Sequence, residues 1–474
     1  MSAARVAVLN IVGLSHRQVT AELAPNLHRF AGERCLRPIE PLLPAVTCSV
    51  QSTYLTGRPP GDHGIVGNGW YDRDYDEHRF WKQSNRLVTA PKLWEVLRQQ
   101  RPGFTCAKMF WWFNMHHTAD YAVTPRPMYP ADGRKVFDVQ TKPLELHDGM
   151  IADLGPFPFP RFWGPGAGLA SSAWIAESAK WIERRQRPDL SLVYLPHLDY
   201  DHQRHGPDHD ASRRALHEVD GLFGDLLACY RAAGVEVVVV SEYGITPVDR
   251  PVHLNRLFRQ RGWLEIKREL GREMLLPGDS RVFAIADHQV AHVYLPQERD
   301  GGAAGALGDE VTSLLEATPG VEQVLRGDAL REAGLAHPRA GDLVAVADSR
   351  SWFTYYYWED DRLAPDFART VDIHRKCGYD PVELFIDPGL RAPKLRLARR
   401  LLQKKLGFRM LMDVVPLDAA LVGGSHGRRP EQSGDWPVWI GPEPAVDQDG
   451  ALPATGVFNE LLRACGGTPE PEIG

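Results

Sequence analysis

Three features are missing from this sequence of 474 residues. Its six cysteines are scattered without a CxxC pair or a zinc-type spacing, which is typical of free thiols in a reducing compartment. No stretch approaches about 18 consecutive apolar residues, so neither a membrane span nor a membrane partner is predicted. The net charge is −6, so no global basic field attracts nucleic acid. We therefore expect a cytoplasmic globular protein without a nucleic-acid partner.

Two local features fit the same expectation. The segment at 5–14 contains a short apolar run that ends at Gly13. This run lacks the longer apolar core and the small-residue cleavage site of a secretory signal. We interpret it as the first buried strand. A cationic cluster later in the chain is interpreted as a solvated helix face rather than a nucleic-acid patch; it contains Arg396, Arg399, Arg400, Lys404 and Lys405.

Short runs rich in Val, Ile and Leu predict buried parallel strands, because helices cover both faces of such a sheet. Three runs stand out, at 5–14, 190–198 and 235–241, and each ends in polar residues. In open α/β sheets, ligands bind at the carboxyl ends of the strands. The pattern therefore predicts an α/β fold in which these three ends share one site.

Helices are predicted between these strands, at 91–99, 171–185 and 211–232, from capping residues and apolar spacing. The segment at about 111–168 is rich in Pro, Gly and aromatic residues and is interpreted as an excursion over the site. Further strands are predicted at 281–286, 291–295, 343–347 and 352–358. We expect a core formed by 1–278 and 349–474, with a small α+β lobe at 279–348.

The densest functional signal is PAVTCSVQSTYLTGRPPGDHGIVGNGWYD, at 44–72. Thr47 stands where a helix is predicted to start, and the free N–H groups and dipole of a helix start favour an anion. A glycine-rich loop, HGIVGNGW, follows. With the surrounding strands, this segment resembles the alkaline phosphatase superfamily, and specifically its type I phosphodiesterase/nucleotide pyrophosphatase branch.

The resemblance implies a central, mostly parallel sheet flanked by helices, with two metal ions bridged at a nucleophilic threonine. It implies that Thr47 is the nucleophile and that Asn68 donates to a phosphoryl oxygen. A metal is chemically reasonable there, because a threonine hydroxyl is a weak nucleophile that needs activation. The implied partner is a small phosphorylated or anionic substrate, and the oligomeric state is not indicated.

The metal ligands depart from the family pattern at the ends of the first and third strands. Where the family's first strand ends with a ligating Asp, this sequence has Val12. Where the third strand ends SDHG, it has Glu242, which can still coordinate, and Tyr243, a poor ligand at neutral pH because a tyrosine pKa is about 10. Beside Glu242, Tyr243 is a candidate general acid. The last family histidine is matched by His426 in GGSHG.

The second strand leaves two alignments open for the family's DxxxH pair. Anchoring on the following Gly-Pro pairs Asp199 with Gln203 and keeps the loop length, which favours this alignment. A shift of two residues pairs Asp201 with His205. The favoured alignment gives Asp199, Glu242 and His426 as metal ligands. A full two-zinc site is not expected. Two possibilities remain: a single site for zinc, manganese or magnesium, or no metal at all.

Three functions follow from these observations. The first is a metal-assisted hydrolase of a phosphate mono- or diester that uses Thr47 as nucleophile. The second is a divergent enzyme on the same scaffold, acting on an anionic metabolite with one metal or none. The third is a non-catalytic relative that binds a phosphorylated ligand.

Overall fold

The computed structural model describes residues 5–296, 303–408, 410–446 and 450–469. Strand follows helix in the first half of the chain, as expected for an α/β protein. The elements there are β1 (Arg5–Ile11), α1 (Pro25–Glu33), β2 (Cys35–Glu40), α2 (Thr47–Thr56), α3 (Pro60–His63), β3 (Gly69–Asp72), β4 (Glu77–Phe80), α4 (Leu93–Gln100), β5 (Cys106–Met109), β6 (Tyr121–Pro125), β7 (Val139–Lys142), α5 (Leu146–Leu154), α6 (Leu169–Gln186), β8 (Leu190–Leu195), α7 (His197–His205) and α8 (Asp210–Ala232).

Short strands dominate the second half. These elements are β9 (Val235–Val240), β10 (Thr246–Pro247), β11 (Arg250–Val252), α9 (Leu254–Gln260), β12 (Ile266–Glu269), β13 (Arg272–Leu275), β14 (Phe283–Asp287), β15 (Val290–Tyr294), α10 (Ala303–Glu316), β16 (Val321–Arg326), α11 (Asp328–Glu332), β17 (Leu343–Ala347), β18 (Ser351–Phe353), α12 (Pro393–Lys405), β19 (Gly424–Ser425), β20 (Val438–Gly441), β21 (Leu452–Pro453) and α13 (Val457–Ala464). In the described ranges, no helix combines the length and the apolar character needed to cross a bilayer.

The main sheet has nine strands in the order β21-β2-β20-β9-β1-β8-β5-β6-β7. Its centre is parallel: β1 pairs with β8 and β9, and β5 pairs with β8 and β6. Antiparallel pairs join β20 to β2 and β9, and β7 to β6. The predicted α/β class with a mostly parallel central sheet is confirmed.

Helices cover both faces of this sheet, and the central strands are apolar on both faces for that reason. In β1, Ala7, Leu9 and Ile11 face a cluster that includes residues of α1, α6 and α8. The alternate residues Val6 and Val8 face a second cluster with residues of α2, α4 and α13. The alternation follows from the two-residue period of a strand, and it places α2 under the sheet with its start near the strand ends.

A second sheet has four antiparallel strands in the order β14-β15-β17-β16 and lies within the region predicted as a lobe. Its apolar side chains share one cluster with residues outside 279–348, among them Tyr71 and Trp352. The domain boundary itself stays a prediction. The segment at about 111–168 does more than form an excursion, because it supplies β6 and β7 to the edge of the main sheet.

Two predicted strands are shorter than the sequence indicated. The run at 190–198 stops being a strand at Leu195, because Pro196 ends it and a helix starts at His197. The run at 352–358 is a strand only to Phe353. The aromatic residues that follow, Tyr355 to Trp358, are buried but leave the sheet and pack on one another.

A buried ion cluster fixes the segment that follows the second sheet. The Lys376 ammonium lies 2.7 Å from Asp380 Oδ2 and 2.7 Å from Glu383 Oε1, and all three side chains are at most 2% exposed. The other oxygen of Glu383 accepts a hydrogen bond from Trp163 Nε1 at 2.5 Å. This cluster holds the backbone on both sides of Tyr379, which points into the site described below.

We predict that Lys376→Met lowers the free energy of unfolding by about 3–5 kcal/mol, because it leaves two buried carboxylates without a cation. Urea denaturation measures the change. The matched control is Lys267→Met, since Lys267 is 59% exposed and pairs with Glu269 at the surface; this variant should change stability by less than about 1 kcal/mol. Equal effects of the two substitutions would contradict the prediction.

Candidate active site

Thr47 is the first residue of α2, a helix of ten residues that are all buried. The helix starts after Val46, whose backbone is extended, and ends at Gly57 in the left-handed conformation that glycine adopts without strain. Asn68 binds the first turn, because its Oδ1 accepts a hydrogen bond from the Cys48 N–H at 3.0 Å. The predicted helix start at Thr47 and its proximity to Asn68 are both present in the structure.

The hydroxyl of Tyr243 connects Thr47 to Asp199. Thr47 Oγ1 lies 3.2 Å from Tyr243 Oη, and Tyr243 Oη donates to Asp199 Oδ1 at 3.2 Å. The phenol has one proton, so when it donates to Asp199 its oxygen accepts from the Thr47 hydroxyl. Burial holds the pKa of Tyr243 well above 10, so this phenol stays protonated at neutral pH.

The network continues from Asp199 to a second tyrosine. Gln203 Nε2 donates to Asp199 Oδ2 at 2.6 Å, and the Tyr379 hydroxyl donates to Gln203 Oε1 at 2.8 Å. Asp199 and Gln203 are four residues apart on α7, so one helical turn presents both side chains to the site. Both oxygens of the Asp199 carboxyl are therefore engaged by protein donors.

Four rings stack to close this network into a circuit. The ring centroids of Tyr243 and His426 are 3.5 Å apart with an interplanar angle of 7°. The ring centroids of His426 and His288 are 3.8 Å apart, and those of His288 and Tyr379 are 3.7 Å apart. The stack fills the space beside Thr47 with aromatic rings.

Each of the two histidines in the stack has one engaged and one free ring nitrogen. His426 Nδ1 lies 2.7 Å from the Ala45 carbonyl, and His288 Nδ1 lies 2.9 Å from Asp287 Oδ1. Both contacts need a proton on Nδ1, so Nε2 of each ring carries a lone pair. Neither Nε2 has a hydrogen-bond partner in the described structure. Burial lowers the pKa of both rings well below 6.5, so both are neutral at pH 7.

Asp287 brings the second sheet to the start of α2. Its Oδ2 accepts from the Asn68 N–H at 2.7 Å, and its Oδ1 accepts from Asn68 Nδ2 at 3.0 Å. The close approach depends on Gly67, since a Cβ there would lie 3.2 Å from Asp287 Oδ2 and 3.1 Å from the Gly69 carbonyl. Burial raises the pKa of Asp287 to about 6, and the hydrogen bond from the Asn68 N–H opposes that rise.

His288 occupies the tip of the β14–β15 hairpin with a φ of +61°, a region that residues other than glycine rarely adopt. Two backbone contacts hold it there: the His288 carbonyl accepts from Phe353 N at 2.8 Å, and Gln289 N donates to the His426 carbonyl at 2.9 Å. Strain of this kind persists where the surroundings fix the conformation, and it clusters at functional sites.

Glu242 lies two residues after the end of β9, on the side of Thr47 away from Asp287. Its Oε1 accepts from Asn10 Nδ2 and from Gln51 Nε2, each at 2.5 Å. Burial raises the pKa of Glu242 to about 7, against the opposing effect of hydrogen bonds from Gln51 and Asn10. Burial and the charge of Glu242 also raise the pKa of Asp199 to about 7.

The six residues singled out from the sequence thus lie in one buried site: Thr47, Asn68, Asp199, Glu242, Tyr243 and His426. Of the two alignments left open on α7, the structure places Asp199 and Gln203 in this site. Asp201 instead pairs with Arg204, and His205 is an exposed residue stacked on His209.

Four further site residues were not singled out from the sequence. The structure adds Asp287 and His288, because the tip of the β14–β15 hairpin points into the site. Gln51 lies one helical turn after Thr47 and could have been found from that spacing. Tyr379 had no signal in the sequence.

The donor set does not fit the two-metal centre that the resemblance implies. Val12 is wholly buried in the apolar core. The amide of Gln203 donates to Asp199 and accepts from Tyr379. The ring of Tyr243 stacks on His426. Across the part of the chain that the structure describes, no group of three or more His, Cys, Asp or Glu side chains is arranged to hold a metal ion.

Two curated yeast proteins are similar to part of the chain. An uncharacterized pyrophosphatase/phosphodiesterase of Schizosaccharomyces pombe is 23% identical over 267 residues, which cover 53% of this chain and 47% of the relative. Ectonucleotide pyrophosphatase/phosphodiesterase 2 of Saccharomyces cerevisiae is 23% identical over 273 residues, 51% of this chain and 48% of the relative. The chain thus spans about half the length of the curated relatives it matches.

Solved structures share the fold over almost the whole chain. Murine ectonucleotide pyrophosphatase/phosphodiesterase 5, solved as an inactive variant in complex with AMP, has a TM-score of 0.59 at 14% identity and covers 99% of this chain and 97% of its own. Phosphonoacetate hydrolase from Sinorhizobium meliloti, in complex with phosphonoacetate, has a TM-score of 0.60 at 17% identity and covers 98% and 96%.

The family model described as type I phosphodiesterase / nucleotide pyrophosphatase matches residues 6–380, which include β1 except for Arg5, all of α2, α7 and β9, and the hairpin that carries Asp287. The match agrees with the resemblance of the segment at 44–72 and with the fold of the solved relatives. The chain therefore belongs to the type I phosphodiesterase/nucleotide pyrophosphatase family, a family of phosphoric ester hydrolases.

Proposed function

We propose that this protein hydrolyses a phosphate mono- or diester and that Thr47 is the nucleophile. The observation that carries the proposal is the setting of the Thr47 hydroxyl, at the start of a buried helix, in contact with Tyr243 and near Glu242. A helix start favours a phosphoryl group there. The complexes of relatives with AMP and with phosphonoacetate support a small phosphorylated or phosphonate substrate.

Glu242 is the proposed general base for Thr47. A base works best when its pKa lies near the operating pH, and burial raises the pKa of Glu242 to about 7. The carboxylate takes the proton of Thr47 Oγ1 as that oxygen bonds to phosphorus and the bond from phosphorus to the ester oxygen breaks. The leaving oxygen takes a proton from water. A water molecule then hydrolyses the phosphothreonine and restores the Thr47 hydroxyl. Tyr243 stays protonated throughout, and its hydroxyl keeps the Thr47 oxygen in place in the resting state.

Substrate entry requires movement of side chains, because Thr47 is 3% exposed and Tyr243 is 3% exposed. Hydrogen bonds with Asp199 and Thr47 and the stack on His426 hold the Tyr243 hydroxyl beside Thr47. A phosphoryl group that reaches Thr47 would displace this hydroxyl and meet the free edge of Asn68 Nδ2, whose second proton is not used by Asp287.

A second candidate is favoured by the closed circuit of side chains: a relative that binds a phosphorylated ligand without turning it over. Val12, Gln203 and Tyr243 replace three metal ligands of the family pattern, and hydrogen bonds now engage Asp199 and Glu242. This candidate predicts that AMP or inorganic phosphate binds and stabilises the protein while aryl phosphates and aryl phosphodiesters are not cleaved.

We predict that Thr47→Ala lowers kcat for p-nitrophenyl phosphate or bis(p-nitrophenyl) phosphate by roughly a thousand-fold or more, as expected when a nucleophile is removed. Acid quenching of the wild-type reaction should also trap phosphate on Thr47, seen by mass spectrometry of the peptide. Turnover at the wild-type rate by the Thr47→Ala variant would exclude Thr47 as the nucleophile.

The matched control for this substitution is Ser49→Ala. Ser49 lies on the same buried helix, and its hydroxyl has no hydrogen-bond partner among the described residues. Removing it should leave kcat and stability unchanged. Both variants are compared by thermal melting, so a loss of fold is not mistaken for a loss of the nucleophile.

The raised pKa of Glu242 predicts a specific pH dependence of stability. Its folded pKa is about 7 against 4.5 for the free side chain, so the folded state binds the proton more tightly between these values. Stability from this group therefore falls as the pH rises from about 4.5 to 7 and is constant above that. We expect Glu242→Gln to be more stable than the wild type by a few kcal/mol at pH 8, with the difference shrinking toward pH 5.

Urea denaturation at pH 5, 6, 7 and 8 measures this difference, and exposed Glu22→Gln is the control that should show none. A stability difference between the wild type and Glu242→Gln that stays constant from pH 5 to pH 8 would contradict the prediction. That result would mean that Glu242 is already ionised in the fold across this range, as it would be beside a cation.

A further inference from the structure

Helix α12 (Pro393–Lys405) packs against the protein with its polar side. The half-buried residues of this helix are Pro393, Arg396, Arg400 and Gln403, which recur at helical spacing and mark the inward face. Both arginines form ion pairs with Asp413, and Arg400 Nη2 lies 3.0 Å from Asp413 Oδ1. An ordinary surface helix buries its apolar side, so this helix is turned the other way.

The outward side of α12 is apolar. Its exposed leucines are Leu395 at 70%, Leu397 at 36%, Leu401 at 51% and Leu402 at 56%. The exposed apolar surface continues past the helix with Leu406 at 64%, Phe408 at 66% and Leu411 at 37%. Single exposed leucines need no explanation, but this many large exposed apolar residues within one segment indicate an interaction surface. We call these seven residues the leucine face.

The same segment is strongly cationic, although the chain as a whole carries a net charge of −6. Residues 388–412 contain no Asp or Glu and eight Lys or Arg: Arg391, Lys394, Arg396, Arg399, Arg400, Lys404, Lys405 and Arg409. Lys394 and Arg399 are exposed between the leucines rather than on the opposite side of the helix. Whatever covers the leucine face must therefore accept apolar side chains and cations together.

The leucine face could be covered by a second copy of the chain, by another protein or by a lipid surface. The charge pattern disfavours the first two. A second copy of the chain, paired through the same helix, would bring one acid-free cationic segment against another, and like charges repel. The buried centre of a protein interface is depleted of charged residues, whereas here cations are interleaved with the leucines. At a lipid surface, Lys and Arg extend their stems along the apolar layer and place their charges among the headgroups.

We propose that the leucine face of α12 binds the surface of an anionic membrane, with the helix lying in the plane of the interface. Leucines and Phe408 enter the boundary between headgroups and acyl chains, and the cations contact anionic headgroups. The helix does not cross the bilayer, so the proposal agrees with the absence of a spanning helix among the described residues. It revises the interpretation of this cationic cluster as a solvated helix face.

Cosedimentation with vesicles tests the proposal on the full chain. Vesicles of phosphatidylcholine with a third of phosphatidylglycerol should carry down the wild type, and pure phosphatidylcholine vesicles should bind far less. Leu395→Ser with Leu402→Ser should reduce the partition coefficient about ten-fold or more through the loss of buried apolar area. Lys394→Glu with Arg399→Glu should reduce it by about ten-fold or more and weaken its salt dependence.

The controls are exposed residues of the same types elsewhere. Leu144 and Leu270 are 67% and 103% exposed, and the pair Leu144→Ser with Leu270→Ser should bind vesicles like the wild type. Lys267→Glu with Arg268→Glu is the charge control, since both side chains are more than half exposed. All of these positions are at the surface and outside the site of Thr47, so the variants keep the fold.

Three results would overturn the proposal. The first is a wild type that stays in the supernatant with anionic vesicles at low salt. The second is binding that the leucine and charge variants retain in full. The third is a dimer in analytical ultracentrifugation that the leucine substitutions dissociate while vesicle binding is absent, which would assign the leucine face to a second copy.

Discussion

The phenol of Tyr243 stands between the hydroxyl of Thr47 and the carboxyl of Asp199, with its ring lying on His426. Around this side chain the site becomes a closed circuit of hydrogen bonds and stacked rings that passes through Gln203, Tyr379 and His288. The rings and amide occupy the neighbourhood in which the family pattern has metal ligands. Burial raises the pKa of Asp199 within this circuit and the pKa of Glu242 on the other side of Thr47.

The fold delivers these groups from three directions. Two central parallel strands, β1 and β9, end near Asn10 and Glu242. Helix α2 starts at Thr47, at the same edge of the sheet. The second sheet adds Asp287 and His288 from its hairpin tip, where backbone contacts hold a strained conformation. The buried cluster of Lys376, Asp380 and Glu383 fixes the segment that carries Tyr379. The site therefore depends on both sheets.

Local sequence patterns were sufficient to predict the elements that depend on residues close together in the sequence. The β-branched run at 235–241 predicts β9, and the segment around Thr47 predicts the helix start. Asp287 is different, because its contact with Asn68 joins residues 219 positions apart, and no spacing in the sequence marks it. The inverted orientation of α12 was also invisible, since its pattern of leucines and cations is the same whichever side faces the protein.

The central claim is that the family's two-metal centre is replaced here by a hydrogen-bonded site organised by Tyr243. The most direct measurement is diffraction at the zinc absorption edge, from crystals of protein saturated with zinc and then dialysed, with metal analysis of the same sample. The account predicts fewer than two zinc ions at this site, with the Tyr243 hydroxyl beside Thr47 Oγ1. Two stoichiometric zinc ions on either side of Thr47, with Tyr243 displaced, would contradict it.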